Sequence, residues 1–309
     1  MKVLVSGASG LLGSTLVTRL VREGHEALRL VRQQPVASSK TILWDPEAGS
    51  LNATALGSVD AVVHLAGEPI ADGRWSASKK RRILLSREEG TRLLAETAAG
   101  MSPQPKVFIS ASAIGIYGNR GEEVLHEGSD TGTGFLASVC RRWEQAAEPI
   151  DRAGIRGVRL RFGLVLSPNG GLLRKLLPVF RYGLGGRIGD GRQWMSWISL
   201  ADTVDSILFA LRTSEIHGPV NVVAPNPVRN TEFTRILAQA LQKPAPWKIP
   251  RIAIKARFGE MGTETALSSA NVEPRILLNS GFRFRHAGLD GALQELLRRQ
   301  ETSSPDTTH

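Results

Sequence analysis

The eleven residues from Val3 to Gly13, VLVSGASGLLG, constrain this chain more than any other segment. An apolar run leads into Gly7, Gly10 and Gly13. Leu12, Leu16 and Leu20, with Val17 and Val21, then recur at spacings of three and four, the stripe of an amphipathic helix that stops at Gly24. A buried strand is therefore handed to a helix through a turn free of Cβ atoms. Backbone N–H groups of such a turn can approach a pyrophosphate at the helix N-terminus, and a glycine one turn further on lets the helix lie close on the sheet. With strand before, helix after and a second strand pattern at Ala27 to Val31, the arrangement predicts a dinucleotide cradle built from Gly7, Ser9, Gly10, Leu11, Leu12 and Gly13. A purely structural tight turn is the alternative reading.

The type of dinucleotide is read where the second strand ends. An acidic residue there accepts hydrogen bonds from the adenosine ribose, whereas an arginine accommodates a 2′-phosphate. Arg32 follows the run LRLV with no carboxylate beside it. A guanidinium can bond a phosphate bidentately and a carboxylate would repel it, so the sequence predicts NADP(H) over NAD(H). The competing reading makes Arg32 one of many solvated arginines.

With 309 residues the chain can bury a full core, as one large domain or two closely joined ones. Its longest apolar stretches are strand-length, which excludes a membrane span, and a first strand starting at Lys2 leaves no room for a leader, so a cytoplasmic protein without a membrane partner is expected. Cys140 is the only cysteine, and the six histidines are scattered without ligand spacing, so neither a disulfide nor a metal is expected. The formal charge of +10, from 39 basic and 29 acidic residues, suits polyanionic cofactors or substrates. The basic residues are nevertheless dispersed, the run Lys79 to Arg82 reads as a solvated helix face, and no nucleic-acid-binding motif is present, so no specific nucleic-acid partner is expected.

Along the chain, strand and helix patterns alternate. Strands are expected at Val3 to Val5, Ala27 to Val31, Thr41 to Leu43, Ala61 to Leu65, Lys106 to Ser110, Gly157 to Arg161 and Val220 to Val223; helices at Leu11 to Glu23, Ser78 to Ala99, Phe135 to Ala153, Ala201 to Leu211 and Thr231 to Leu241. The stretch Ser167 to Gly191 reads as loops around a helix. The fold class is α/β: a Rossmann doubly wound parallel sheet over residues 1–165, with 199–229 returning to it. A smaller C-terminal substrate lobe, 166–198 and 230–300, closes over the substrate, and 301–309 forms a disordered tail.

Several longer motifs resemble a known family. The glycine pattern, His64-Leu65-Ala66-Gly67, Ser110 to Gly118 (SASAIGIYG) and Leu160 to Gly163 are similar to the extended and atypical short-chain dehydrogenase/reductases of the NAD(P)-dependent epimerase/dehydratase superfamily. More narrowly, GEPIADGRW at 67–75, IGDGRQWMSWISLAD at 188–202 and LSSANVEPRILLNSGFRF at 267–284 resemble the subgroup called epimerase family proteins, a few of which are named cell-division-inhibitor homologues. The resemblance implies that Leu65, Ala66, Gly67 and Ser110 also lie beside the cofactor. Active members use a Tyr-x-x-x-Lys pair, in which the lysine lowers the tyrosine pKa so that the phenol can exchange a proton. This chain departs from that pattern. Its only tyrosines, Tyr117 and Tyr182, have Gly121 and Gly186 four residues on, and the matching helix carries Phe135 and Val139.

A proton carrier, if there is one, must then come from elsewhere, and Ser112, Tyr117 and Glu68 are the sequence candidates. Ser112 stands one residue further from Tyr117 than the family spacing; Tyr117 has the alternative of a packed ring with a satisfied hydroxyl. Glu68 with a raised pKa would serve as acid or base, or else it pairs with Arg74. His64 reads as a core histidine. On the substrate side, Arg74, Arg192, Gln193, Trp194 and Trp197 offer planar donors and flat apolar surfaces suited to an anionic, sugar-like or aromatic ligand, interdomain packing being the alternative. The expected function is an NADP(H)-dependent oxidoreductase or epimerase acting on a small molecule, with a homodimer allowed. The alternative is a non-catalytic NADP(H)-binding module for redox sensing or assembly.

Overall fold

The computed structural model describes residues 1–33 and 40–303, with side chains as far as Arg298. In chain order the first half comprises β1 (Lys2–Ser6), α1 (Leu11–Arg22), β2 (Glu26–Val31), β3 (Thr41–Asp45), β4 (Ser50–Leu51), α2 (Ala53–Leu56), β5 (Ala61–His64), α3 (Ala77–Ala99), β6 (Val107–Ala113), a 3-10 turn at Ile114–Tyr117, β7 (Val124–Leu125), α4 (Phe135–Gln145), α5 (Glu148–Arg152) and β8 (Arg156–Phe162). The second half adds β9 (Leu164–Leu166), α6 (Gly171–Arg181), β10 (Gly186–Ile188), β11 (Trp194–Met195), β12 (Trp197–Ser199), α7 (Leu200–Arg212), β13 (Gly218–Val222), β14 (Val228–Arg229) and α8 (Asn230–Ala240). It ends with β15 (Trp247–Ile249), α9 (Arg251–Phe258), α10 (Glu260–Glu264), β16 (Asn271–Val272), α11 (Arg275–Asn279) and α12 (Leu289–Ser303).

The large sheet has the order β13-β8-β6-β5-β1-β2-β3-β4. β1 pairs in parallel with both β2 and β5, so the strand order reverses there, and the carboxyl ends of β1 and β5 form the switch point at which open α/β sheets bind ligands. This is the doubly wound sheet the alternation predicts. Parallel strands covered on both faces read as unbroken apolar runs, and Val3, Leu4, Val5, Ala61, Val62 and Val63 are all fully buried. One face carries Leu4, Leu28, Val62 and Phe108 against Leu94 and Ala98 of α3 and Ile150 of α5. A second core gathers Leu173 and Leu177 of α6, Trp197 of β12, Phe233 and Leu237 of α8 and Leu293 of α12.

The chain divides into two compact units: Met1–Ile116, Thr131–Phe162 and Val204–Val220 in one, Tyr117–Asp130, Gly163–Thr203 and Asn221–His309 in the other. The second thus takes an internal excursion, Tyr117–Asp130, that the sequence boundaries assign to the first. The single helix expected over Phe135 to Ala153 is two helices, parted at Ala146 and Ala147. Pro149 in the first turn of α5 is the reason, because proline has no N–H for a continuing helical ladder and its ring crowds the carbonyl four residues back. α12 runs through Ser303, so 301–303 are helical where a disordered tail is expected, and 304–309 lie outside the described residues. Among the described residues no helix is long and apolar enough to cross a membrane.

Candidate functional site

The glycine turn has the geometry of a cradle. Gly7 has φ +68°, where L side chains are strained, and a Cβ there would lie 2.7 Å from the carbonyl carbon of Leu65. A Cβ on Gly13 would drive into the Gly7 carbonyl oxygen. Gly10 differs: it is exposed, and its Cβ would meet only that same oxygen, at 3.3 Å. Gly7 and Gly13 therefore serve the packing of turn, helix and sheet, while Gly10 leaves the open side clear. Gly10 also precedes α1 in extended backbone, and no side chain caps the helix. An uncapped helix start presents N–H donors and the positive end of the dipole to an anion. Ser9 is exposed beside it, Leu11 and Leu12 are half-buried, and Arg32 is exposed one residue past β2.

Beneath this turn lies a polar knot. The Ser6 hydroxyl accepts N–H bonds from Leu65 at 3.1 Å and Ala66 at 3.3 Å and lies 2.6 Å from Nδ1 of His64. With its lone pairs taken by the two amides, the hydroxyl donates to Nδ1, which fixes the imidazole as the neutral Nε2–H tautomer. Burial, helped by the charge of Arg87, holds the His64 pKa down at about 4. His64 is thus a structural residue of the β1 and β5 ends, and the segment Leu65–Ala66 is fixed where it passes Gly7. Ser110, opposite His64 in the β5–β6 register, is buried.

Glu68 follows that segment and is an ion-paired carboxylate, as the alternative reading has it, though with partners other than Arg74. Its Oε1 accepts from Lys79 Nζ at 2.7 Å, with Arg82 Nε 3.5 Å away; Arg74 is exposed and is not its partner. The hydrogen bond from Lys79 holds the carboxyl below the usual carboxylate range against a partial burial that would raise it. Lys79 is buried, which corrects the expectation of a solvated 79–82 face: it opens the buried stripe continued by Ile83, Gly90 and Leu94 of α3. The Arg87 guanidinium donates to the carbonyls of Glu68 at 3.0 Å and Ile83 at 3.1 Å and stacks 4.8 Å from the Trp143 ring.

Ser112 is buried on β6, and its hydroxyl donates to Glu144 Oε1 at 2.7 Å. The same carboxylate takes both arms of Arg161, at 2.8 and 2.9 Å, so the serine proton is committed within the fold. Cys140, one turn before Glu144, is buried, and burial pushes its thiol up to about 12, far from a nucleophile. At the start of α4, Phe135 meets the Trp75 ring edge-on at 5.0 Å and carries the Lys80 ammonium 4.6 Å from its centroid.

In the second unit, Tyr117 has no exposed surface; its hydroxyl lies 2.7 Å from Asn221 Oδ1 and 3.1 Å from the His126 carbonyl, the geometry of a packed, satisfied ring. Trp197 is also fully buried and donates to the Asn226 carbonyl at 3.0 Å. It belongs to the core, which removes it from the expected substrate-facing set. Gln193 ties its loop together by donating to the carbonyls of Ile188 and Ala266. Arg192 is exposed. Trp194 donates to Glu122 at 2.9 Å, and Arg229, bound to the same carboxylate at 2.7 Å, stacks 4.7 Å above its ring.

Against known proteins, residues 3–224 match the model of the NAD dependent epimerase/dehydratase family. The chain belongs to that family. Residues 249–296 match a domain of unknown function, DUF1731. Epimerase family protein Mb2239 of Mycobacterium bovis is 43% identical over 291 residues, 94% of this chain and 96% of the relative. Among solved structures, human epimerase family protein SDR39U1 (isoform 2) with NADPH superposes with TM-score 0.89 at 32% identity, over 96% of this chain and 99% of that one. A nucleoside-diphosphate sugar epimerase from Corynebacterium glutamicum gives TM-score 0.79 at 36% identity, covering 99% of this chain and 62% of that one.

For a member of the epimerase/dehydratase family, the residues missed in the sequence are as informative as those found. Ser6 closes the VLVS run and could have been read as the polar end of the first strand. Lys79 and Ile83 stand four residues apart, so carrying the apolar period of α3 back one turn would have placed Lys79 inside. Lys80 gave no signal, because its position at Phe135 depends on two helices far apart in the sequence.

Proposed function

We propose that the chain binds NADP(H) and uses it as a cytoplasmic oxidoreductase or epimerase on a small-molecule substrate. The observation that carries this reading is the start of α1, which no side chain caps and which stands behind an exposed glycine, Gly10. Arg32, exposed just past β2, supplies a guanidinium for a 2′-phosphate. The NADPH of human SDR39U1 and the sugar-nucleotide chemistry named for the Corynebacterium protein point in the same direction. When bound, the nicotinamide supplies hydride transfer. The chain's own residues do the rest: Ser6 fixes Leu65–Ala66, Arg87 holds the carbonyl of Glu68, and the Lys80 ammonium, on Phe135, is the group we assign to hold or deliver a proton at a substrate oxygen.

A second reading, a non-catalytic NADP(H)-binding module, is favoured by the commitment of Ser112 to Glu144 and of Tyr117 to Asn221. Calorimetry of NADPH and NADH on wild type and Arg32→Ala tests the cofactor. Loss of the 2′-phosphate contacts should cost roughly 1.5 to 3 kcal/mol, a tenfold to hundredfold weakening; equal wild-type affinities for the two dinucleotides refute the assignment. A screen of carbonyl compounds and sugar nucleotides for NADPH oxidation or epimerised product then separates the readings. Any hit should fall by about a hundredfold to ten-thousandfold in Lys80→Met, whereas Ser112→Ala, Tyr117→Phe and Glu68→Gln act only through stability. Tight NADPH binding without turnover across the screen selects the module.

A further inference from the structure

One surface of the second unit is left unused by this site. Between Lys243 and Phe258 the sequence holds five cations and no carboxylate, and between Leu173 and Ile188 four cations and no carboxylate. β10 and β15 pair these two segments in parallel register, Gly186 opposite Trp247. The Trp247 indole donates to the Gly183 carbonyl at 3.3 Å, which brings it to the turn bearing Tyr182 and Leu184. Tyr182 is 83% exposed, Leu184 57% and Trp247 56%, and on α9, which follows β15 directly, Ile252 is 76% exposed. Large apolar side chains thus stand exposed beside segments rich in lysine and arginine, and the nearby carboxylate of Asp190 feels the charge of Arg251, a cation of this surface.

We propose that this face lies on an anionic lipid surface, with Tyr182, Leu184, Trp247 and Ile252 at the headgroup boundary and the cations of α9 and β15 on the phosphates. Charge complementarity chooses the occupant. A second copy docked by the same patch would set like charges against each other, which disfavours association. A nucleic acid would use the cations and the aromatic rings but offers nothing to the aliphatic Leu184 and Ile252. An anionic bilayer takes all three kinds of side chain: tyrosine and tryptophan favour the interface, aliphatic groups enter the acyl boundary and each cation near the surface adds attraction. That no helix among the described residues is long and apolar enough to cross a membrane has no bearing here, since lying on a membrane is a different state from crossing it.

The test is co-sedimentation of the full chain with vesicles of phosphatidylcholine alone and of phosphatidylcholine mixed with phosphatidylglycerol. Binding is expected only to the mixed vesicles and should be reversed by salt. It should weaken about tenfold or more in Lys255→Glu/Arg257→Glu and be lost in Ile252→Ser, with unchanged melting temperatures because these residues are exposed. Failure to bind mixed vesicles, equal binding to neutral ones, or full binding by both variants overturns the proposal. Two outcomes reassign the surface and so also overturn it: single-stranded DNA binding that Ile252→Ser leaves intact, and a dimer in sedimentation equilibrium that Ile252→Ser abolishes.

Discussion

Lowering the pH should destabilise the protein in two separable stages, and the first belongs to His64. Its pKa of about 4 in the folded chain, against 6.5 for the free side chain, means that between these values the unfolded chain binds a proton the folded chain refuses. Stability therefore rises with pH through that window. The contribution is complete above pH 6.5, is lost as the pH falls towards 4, and amounts to about 3 kcal/mol at about 1.4 kcal/mol per unit. The geometry explains the refusal: a proton on Nδ1 would confront the hydroxyl of Ser6, whose oxygen already accepts two amides, in a buried site that also feels the charge of Arg87. The second stage comes from carboxyls such as Glu68, held low by Lys79, and Glu23, held low by Arg19 and Arg212 against burial. Their stabilisation is present above the unfolded pKa of 4.5 and is lost below it. Denaturant unfolding at a series of pH values, on wild type and His64→Asn, isolates the first stage, since asparagine keeps an acceptor for Ser6 but does not titrate. The variant is less stable near neutrality, and the difference should shrink towards pH 4. A constant difference across that range refutes the reasoning.

Five further substitutions probe the same frame. Gly13→Ala should lower stability by about 1 to 3 kcal/mol in the absence of any ligand, because the new methyl meets the Gly7 carbonyl, whereas Gly10→Val should melt like wild type yet lose the thermal shift with NADPH; the opposite pattern would put the pyrophosphate elsewhere. Glu144→Gln removes the negative charge bonded to the buried Arg161 guanidinium and should cost about 3 to 5 kcal/mol in denaturant unfolding, far more than Ser112→Ala at about 1 kcal/mol; equal costs would mean that the ion pair is not what holds α4 to β8. Trp197→Ala should cost about 3 to 5 kcal/mol, as for a core tryptophan, and a near-neutral result would return Trp197 to the surface.

The sheet, the glycine turn and the helix behind it were legible because each is written in a local period: an unbroken apolar run for a strand buried on both faces, a spacing of three and four for a helix, glycines where backbone must approach backbone. The same reading failed where a polar side chain finds its partner far along the chain. Lys79 looked solvated until Glu68 was brought beside it. For Glu68 the sequence leaves an acid of raised pKa and a partner of Arg74 both open, because nothing in GEPIADGRW reveals that Lys79 and Arg82 of the next helix lie beside it. Ser112 and Glu144 are 32 residues apart, and Tyr117 and Asn221 are 104 apart, so neither hydrogen bond is visible in local spacing. The sequence by itself determined the parallel sheet, the glycine turn and the fact that neither tyrosine has a lysine four residues on, all properties of residue type and spacing. Only the tertiary structure decided which charges neutralise one another, which rings are core and which cation meets Phe135, because those outcomes depend on burial and on distances that the chain acquires only when separate elements pack.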